Sequence, residues 1–127
     1  MVGRSVAGMN LNLGGITLDC TEPRSLAEFW TKALDLEVTF DAEGQFVQLR
    51  SPADKAQPPL NLQKVPEVRA GKNRMHIDLI TDDRAGEVDR LVALGATTGA
   101  EHTVPGLAWT VLQDPEGNEF CVGSPHG

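Results

Sequence analysis

The sequence has few of the features that mark secreted or membrane proteins. Its 127 residues include two cysteines, too few for the disulfide framework that holds small secreted domains together. No apolar run approaches the roughly 18 residues that a transmembrane helix needs, and residues 1–10 lack the apolar centre of a secretory signal. We therefore expect a cytoplasmic protein that does not enter a membrane, with residues 1–10 as a flexible leader.

Basic side chains are also scarce. There are 11 Lys and Arg against 18 Asp and Glu, which gives a formal net charge of −7. Because an acidic protein without a basic cluster repels a phosphate backbone, we expect no nucleic-acid partner. The GxSxG, Walker and dinucleotide fingerprints are absent too, so no motif supports acyl-transfer, nucleoside triphosphate or NAD chemistry.

The sequence does contain one pattern of elements that occurs twice. In the first copy, a strand over residues 13–20 is followed by Thr21, a candidate cap, and by Pro23, which favours the first turn of a helix. Apolar residues then recur at helical spacing from Leu26 to Leu34, and Asp35 follows where the chain must turn. Three strands are predicted after this helix, over residues 36–40, 45–50 and 60–65.

The second copy begins with a strand over residues 75–81. Asp82 and Asp83 follow it and can cap a helix. The apolar stripe of that helix consists of Val88, Leu91, Val92 and Leu94. Three more strands are predicted over residues 97–104, 107–113 and 119–123. This order predicts an α+β fold of two tandem βαβββ modules, at about residues 13–65 and 74–123, within a single domain over residues 11–124.

One face of the predicted strands carries an unusual mixture of side chains. Strand alternation turns most apolar residues toward the helices and leaves aromatic, amide, histidine and cysteine side chains on the opposite face. A sheet face in contact with water is the alternative, but such a face would be richer in Lys, Glu and Thr. The mixture is typical of a small-molecule pocket. The predicted lining residues are Phe46, Gln48, Gln63, His76, Asp78, Trp109, Glu119 and Cys121.

Four segments together resemble the glyoxalase/bleomycin resistance protein/dioxygenase superfamily, also called the vicinal oxygen chelate superfamily. These segments are TLDCTEP at 17–23, the H-x-D pattern at His76, LVALGA at 91–96 and DPEGNEF at 114–120. The resemblance covers roughly residues 13–122. It implies a glyoxalase-like domain whose paired modules form a curved mixed sheet around a cleft for a small organic molecule. It also implies a homodimer, because relatives commonly complete the cleft with a second subunit.

In many members of this superfamily the cleft holds a divalent metal ion. The resemblance places the ligand positions at Gly15, His76 and Cys121. Glycine has no side chain to donate, and cysteine stands where glutamate is usual, so only His76 keeps its identity. A catalytic metal site generally has three protein ligands, and we therefore expect no metal cofactor. A Zn²⁺ site from His76, Cys121 and one acid is the chemically conceivable alternative.

His76 is the residue that the sequence offers for acid/base chemistry, with Asp78 as a second catalytic candidate. The two side chains are two positions apart on one strand, roughly 7 Å at the backbone, so we expect Asp78 to reach His76 only through water or substrate. The alternative is a neutral histidine hydrogen-bonded among polar neighbours. For Cys121, a role in packing is favoured over a role as a nucleophile. We assign no role to His102 or His126, which we place in a loop-like stretch and a tail.

Three functions follow from this combination. The degenerate metal positions favour a binder that sequesters a small organic molecule, as resistance members of the superfamily do. The polar cleft keeps open a metal-independent lyase, isomerase or cyclase that uses His76 as its acid/base. A divalent-metal-dependent lyase or dioxygenase is the third hypothesis.

Overall fold

The computed structural model describes residues 12–71 and 73–125, which form two compact units divided between Glu67 and Val68. Each unit contains one α-helix and one four-stranded mixed sheet. The predicted α+β fold of two βαβββ modules is therefore confirmed. The leader predicted over residues 1–10 and the tail histidine, His126, lie outside the described residues. No helix within the described part of the chain is long and apolar enough to span a membrane.

The first unit places its helix against a sheet with the strand order β1-β4-β3-β2. β1 and β4 are parallel and the other pairs antiparallel. The helix contacts β2, β3 and β4, and the core between them contains Leu26, Phe29, Trp30, Val47, Leu49 and Leu62. The elements are β1 (Ile16–Cys20), α1 (Pro23–Leu34), β2 (Glu37–Asp41), β3 (Phe46–Arg50) and β4 (Leu60–Lys64).

The predicted C-terminal end of α1 is correct, and the predicted N-terminal cap is wrong. The helix begins at Pro23, whose fixed backbone suits the first helical position, so the N-cap is Glu22 and not Thr21. The side chain of Glu22 makes no capping hydrogen bond. At the other end, Asp35 adopts the left-handed conformation (φ 54°, ψ 53°) in which a helix commonly stops.

The hairpin between β2 and β3 is closed by Asp41. One carboxylate oxygen of Asp41 accepts a hydrogen bond from the backbone N–H of Gly44 at 2.8 Å, where Glu43 and Gly44 both have positive φ. The other oxygen accepts from Arg24 Nε at 2.8 Å. The hydrogen bond from Arg24 is the main reason that the pKa of Asp41 is lowered. This ion pair links the turn to the first turn of α1.

The second unit repeats the topology with the strand order β5-β8-β7-β6. β5 and β8 are parallel, and the other pairs are antiparallel. Its buried apolar side chains include Leu91, Ala108, Leu112, Phe120 and Val122. The elements are β5 (Ile77–Ile80), α2 (Arg84–Leu94), β6 (Thr97–Val104), β7 (Leu107–Gln113) and β8 (Glu119–Ser124).

Helix α2 is less deeply packed than its sequence predicts. Of the four residues in the predicted apolar stripe, Leu91 is buried, whereas Val92 is 41% exposed. The predicted Asp83 cap is present, because its side chain accepts a hydrogen bond from the backbone N–H of Gly86 at 3.0 Å. Helical spacing alone therefore overestimated the width of the buried face.

The DPEGN turn fixes the start of β8. The side chain of Asp114 is buried and accepts hydrogen bonds from the backbone N–H groups of Glu116 and Asn118, both at 2.9 Å. Its second oxygen accepts from Asn118 Nδ2 at 3.0 Å. Gly117 has φ 88°, a conformation that favours glycine. The turn thereby positions Glu119 and Cys121, the two residues of β8 that were predicted to bind a ligand.

Candidate functional site

A cavity of about 440 Å³ lies in the second unit. Strand alternation explains it, because Trp109, Val111, Glu119 and Cys121 alternate along β7 and β8 with buried core residues. The cavity is lined by His76, Asp78, Leu79, Ile80, His102, Leu107, Trp109, Val111, Glu119, Cys121 and Gly123.

Three side chains that can donate lone pairs converge at one end of this cavity. We call His76, Asp78 and Cys121 the His76 cluster. The Nδ1 atom of His76 lies 3.1 Å from Asp78 Oδ1 and 3.8 Å from Cys121 Sγ. One N, one O and one S atom of the three residues all lie within 4.8 Å of one another. The parallel pairing of β5 with β8 produces this proximity, since Asp78 is the direct partner of Cys121.

The direct contact between His76 and Asp78 corrects the prediction that water or substrate would separate them. The predicted strand began at residue 75, but β5 begins at Ile77, so His76 precedes the strand. Both side chains also extend well beyond the backbone, which lets the two polar ends meet at 3.1 Å. The side chain of His76 is 41% exposed and that of Asp78 is 67% exposed, so the pair is accessible to a ligand.

An aromatic wall lies on the neighbouring strands. The rings of His102 on β6 and Trp109 on β7 are stacked, with centroids 5.1 Å apart and an interplanar angle of 26°. The two residues are direct partners in the antiparallel register. We call this pair the aromatic wall.

His102 was not predicted to line the cavity, although the sequence contains a signal for its position. The two predicted strands are joined by Pro105 and Gly106. Counting outward from a two-residue turn pairs Val104 with Leu107 and then His102 with Trp109, which is the observed register. Treating residue 102 as part of a loop-like stretch was therefore wrong.

The charges in the cavity are mostly negative. Asp78 and Glu119 supply carboxylates, His76 and His102 supply imidazoles, and no Lys or Arg is among the described residues that line it. Repulsion from the carboxylates disfavours ligands that carry several negative charges.

The structure brings together five of the eight predicted site residues: His76, Asp78, Trp109, Glu119 and Cys121. The other three, Phe46, Gln48 and Gln63, belong to the first unit. Phe46 pairs with Gln63 across β3 and β4, and Gln48 has the same strand parity as Phe46. The Gln48 side chain accepts a hydrogen bond from Arg50 Nε at 3.3 Å. A ligand-binding role for these three residues stays a prediction.

Gly15, the first of the three positions carried over from the superfamily, is closely packed. A Cβ atom at this position would lie 2.8 Å from the side-chain nitrogen of Asn61 and 3.3 Å from Pro59. A larger residue would have to displace Asn61, a buried residue of β4. Position 15 therefore provides no metal ligand, and a larger side chain there would require Asn61 to shift.

Comparison with known protein families agrees with this architecture. A family model described as a glyoxalase-like domain matches residues 15–123. The chain belongs to the glyoxalase-like domain family. No curated protein sequence matches it.

Solved structures with the glyoxalase-like fold resemble the chain closely in backbone and distantly in sequence. The fosfomycin resistance protein FosX from Listeria monocytogenes, a mutant complexed with Mn(II) and 1S,2S-dihydroxypropylphosphonic acid, has a TM-score of 0.74 and 15% identity, over 90% of each chain. A glyoxalase/bleomycin resistance protein/dioxygenase family enzyme from Burkholderia phytofirmans PsJN has a TM-score of 0.70 and 17% identity, over 91% of this chain and 99% of its own.

A third similar structure is lactoylglutathione lyase from Agrobacterium tumefaciens. It has a TM-score of 0.62 and 23% identity, over 89% of this chain and 92% of its own. At these identities the likeness establishes the fold. The activities in the names belong to those proteins.

Proposed function

We propose that this protein binds a small, flat organic molecule in the cavity of the second unit and acts as a sequestering, resistance-type binder. The observation that carries the proposal is the composition of that cavity. Its aromatic wall stands beside apolar side chains, and the His76 cluster provides convergent polar atoms at the other end. Such a combination of apolar walls with a few placed polar groups is what small-molecule sites use for affinity and orientation.

The aromatic wall supplies the larger part of the expected affinity. Trp109 and His102 are already stacked on each other, so the indole ring is held in place before a ligand arrives. Leu107 and Val111 extend this wall on β7. A flat ligand would bury apolar surface against these side chains, worth roughly 25 cal/mol per Å².

The His76 cluster and Glu119 determine the orientation of the ligand and its chemical class. The carboxylates of Asp78 and Glu119 can accept hydrogen bonds from donor groups of the ligand. Because the described lining contains these carboxylates and no Lys or Arg, uncharged and cationic ligands are favoured over phosphate esters and other polyanions. The volume of about 440 Å³ lies in the range of small-molecule pockets.

A second candidate function is a metal-independent lyase, isomerase or cyclase reaction. The specific observation in its favour is the contact at 3.1 Å between His76 Nδ1 and Asp78 Oδ1. A carboxylate in this position orients the imidazole ring, and an oriented imidazole can act in general acid/base catalysis. The Sγ atom of Cys121 lies 3.8 Å from the same ring nitrogen.

Fluorescence titration of the full-length protein tests the binding proposal. The probes are planar heteroaromatic compounds in uncharged, cationic and multiply anionic forms. Trp109 lines the cavity, whereas Trp30 is 0% exposed in the first unit, so quenching should come from Trp109. We expect quenching by uncharged or cationic probes and none in Trp109→Leu. Absence of any binding tighter than about 1 mM would contradict the proposal.

The His76→Ala variant separates the two candidate functions. In a sequestering protein it should weaken binding modestly, by roughly the 1 kcal/mol of one hydrogen bond. In an acid/base enzyme it should reduce turnover about a hundredfold or more, measured by mass spectrometry of the probe after incubation, and leave binding nearly intact. Gln63→Ala in the same titration tests the role predicted for the first-unit residues.

We also propose the assembly and location predicted from the sequence. The chain is proposed to form one domain over residues 11–124, to pair as a homodimer and to reside in the cytoplasm. Support comes from the family match over residues 15–123, from the frequency of two-fold assemblies, and from the scarcity of cysteine.

A further inference from the structure

We infer that the His76 cluster is a zinc site, in which Asp78 provides the ligand that position 15 cannot. This inference concerns one end of the cavity and does not rest on the binding of an organic molecule. The expectation of no metal cofactor rested on the three positions carried over from the superfamily, and a Zn²⁺ site from His76, Cys121 and one acid was the alternative. The structure points to Asp78 as that acid, because it reaches the same point as His76 and Cys121.

The spacing of the donor atoms fits a single small cation. Zn²⁺ binds nitrogen, oxygen and sulfur at about 2.0–2.3 Å in tetrahedral sites, so ligand atoms in such sites lie roughly 3.3–3.8 Å apart. The separations from His76 Nδ1 are 3.1 Å to Asp78 Oδ1 and 3.8 Å to Cys121 Sγ. The three ligand atoms all lie within 4.8 Å of one another, so side-chain rotation is needed to place them around one ion.

The second unit provides this ligand set by itself. Gly15 has no donor, and a side chain there would collide with Asn61. Asp78 is two residues from His76 and is the register partner of Cys121, so the pairing of β5 with β8 assembles all three ligands. The vacant position in the first unit therefore does not exclude a three-ligand site.

The donor types select the metal. Thiolate and imidazole suit Zn²⁺, whereas Mn²⁺ and Mg²⁺ prefer oxygen ligands. Replacement of a superfamily glutamate by Cys121 therefore shifts the preference of the site from harder ions toward Zn²⁺. Three protein ligands leave a fourth position for water or for a donor atom of a bound molecule. His76 is exposed toward the cavity, where that position would open.

Metal titration of chelator-treated, full-length protein tests the inference. Zn²⁺ is titrated against a chromophoric competitor, and Co²⁺ is used as a spectroscopic substitute because a cobalt–thiolate bond gives a charge-transfer absorption. We expect one Zn²⁺ per chain, bound more tightly than Mn²⁺ or Mg²⁺. We also expect the release of the thiol proton of Cys121 into a weakly buffered solution.

Matched variants locate the site. Asp78→Asn, Cys121→Ser and His76→Gln should each weaken Zn²⁺ binding by at least about a hundredfold, the upper limit of the 10- to 100-fold range typical of changes to residues that only support a ligand. Cys121→Ser should also abolish the charge-transfer band. Asp89→Asn on the exposed side of α2 and Cys20→Ser in the first unit should leave affinity and band unchanged. Circular dichroism checks that each variant is folded.

Two results would overturn the inference. One is the absence of stoichiometric Zn²⁺ binding tighter than about 10 μM in the folded wild-type protein. The other is unchanged affinity in folded Asp78→Asn, because Asp78 is the ligand that the inference adds. The outcome is separable from the proposed function, since zinc binding is read without an organic probe and Trp109 quenching is read with and without zinc. Bound zinc would also occupy His76 Nδ1 and exclude its use as the catalytic base.

Discussion

Asp114 shows how one residue fixes the geometry that the cavity depends on. Its carboxylate accepts hydrogen bonds from two backbone N–H groups and from one side-chain amide, and it is 2% exposed. The donors are Glu116 and Asn118, which lie in the turn before β8. A change at residue 114 therefore affects the position of Cys121 through the backbone, without contact with the cavity.

Replacement of Asp114 by alanine should destabilise the protein by about 2–4 kcal/mol, because it leaves buried donors without acceptors. Urea denaturation measures the effect. Asp114→Asn keeps one acceptor oxygen and should cost about half as much. A loss below about 0.5 kcal/mol in Asp114→Ala would show that water replaces the carboxylate.

At the scale of the element, two residues at the start of α2 depend on each other. Asp83 favours the start of a helix, whereas Gly86 disfavours a helical conformation. Asp83 caps the helix by accepting from the N–H of Gly86. A Cβ atom at residue 86 would collide with the Asp83 carboxylate. Glycine normally weakens a helix relative to alanine, but here it makes room for the cap.

A double-mutant cycle should show this coupling as a change of sign. We expect Asp83→Ala to cost about 1 kcal/mol through loss of the cap. Gly86→Ala should destabilise the wild-type protein, yet stabilise the Asp83→Ala variant by up to about 1 kcal/mol. Thermal denaturation of the four proteins gives the coupling energy. Equal effects of Gly86→Ala in both backgrounds would contradict the collision.

The β2–β3 hairpin should contribute a pH-dependent part of the stability. Arg24 lowers the pKa of Asp41 in the folded protein, so the unfolded chain binds a proton to Asp41 more readily. This contribution is therefore complete above the ordinary aspartate pKa of about 4 and is lost as the pH falls through the lower folded value.

The stability difference between wild type and Asp41→Asn should accordingly be largest near neutral pH and shrink below about pH 4. Denaturation at a series of pH values measures it. High salt should reduce the difference, because Arg24 is exposed and the pair is screened. A difference that is constant from pH 7 to pH 2 would show that the pair contributes nothing through ionisation.

At the scale of the whole molecule, we expect a homodimer. Val38 and Phe40 are exposed apolar side chains on β2, the edge strand of the first sheet, and an exposed apolar edge is a common site of association. Light scattering at micromolar concentration should give twice the chain mass of 13.6 kDa. Phe40→Lys should weaken the dimer if β2 takes part, and Lys55→Glu, in the exposed loop, is the matched control. A monomer mass for the wild type would contradict this prediction.

Local sequence determined most of the elements of this fold. Helical spacing predicted both helices, and single residues with strong backbone preferences, such as Asp35 and Asp83, predicted where they end or begin. Pro105 and Gly106 determined the register of β6 and β7 from Val104 back to Glu101, where an irregularity shifts the pairing. These features depend on neighbours within a few residues, so the sequence alone was sufficient.

Tertiary structure decided the chemistry of the cavity. The proximity of Asp78 to Cys121 results from a parallel pairing between strands that are separated by two other strands and a helix in the chain. Its register is set by packing against the core, which no local pattern encodes. The sequence therefore identified His76, Asp78 and Cys121 as candidates, but only the fold could show that their donor atoms converge.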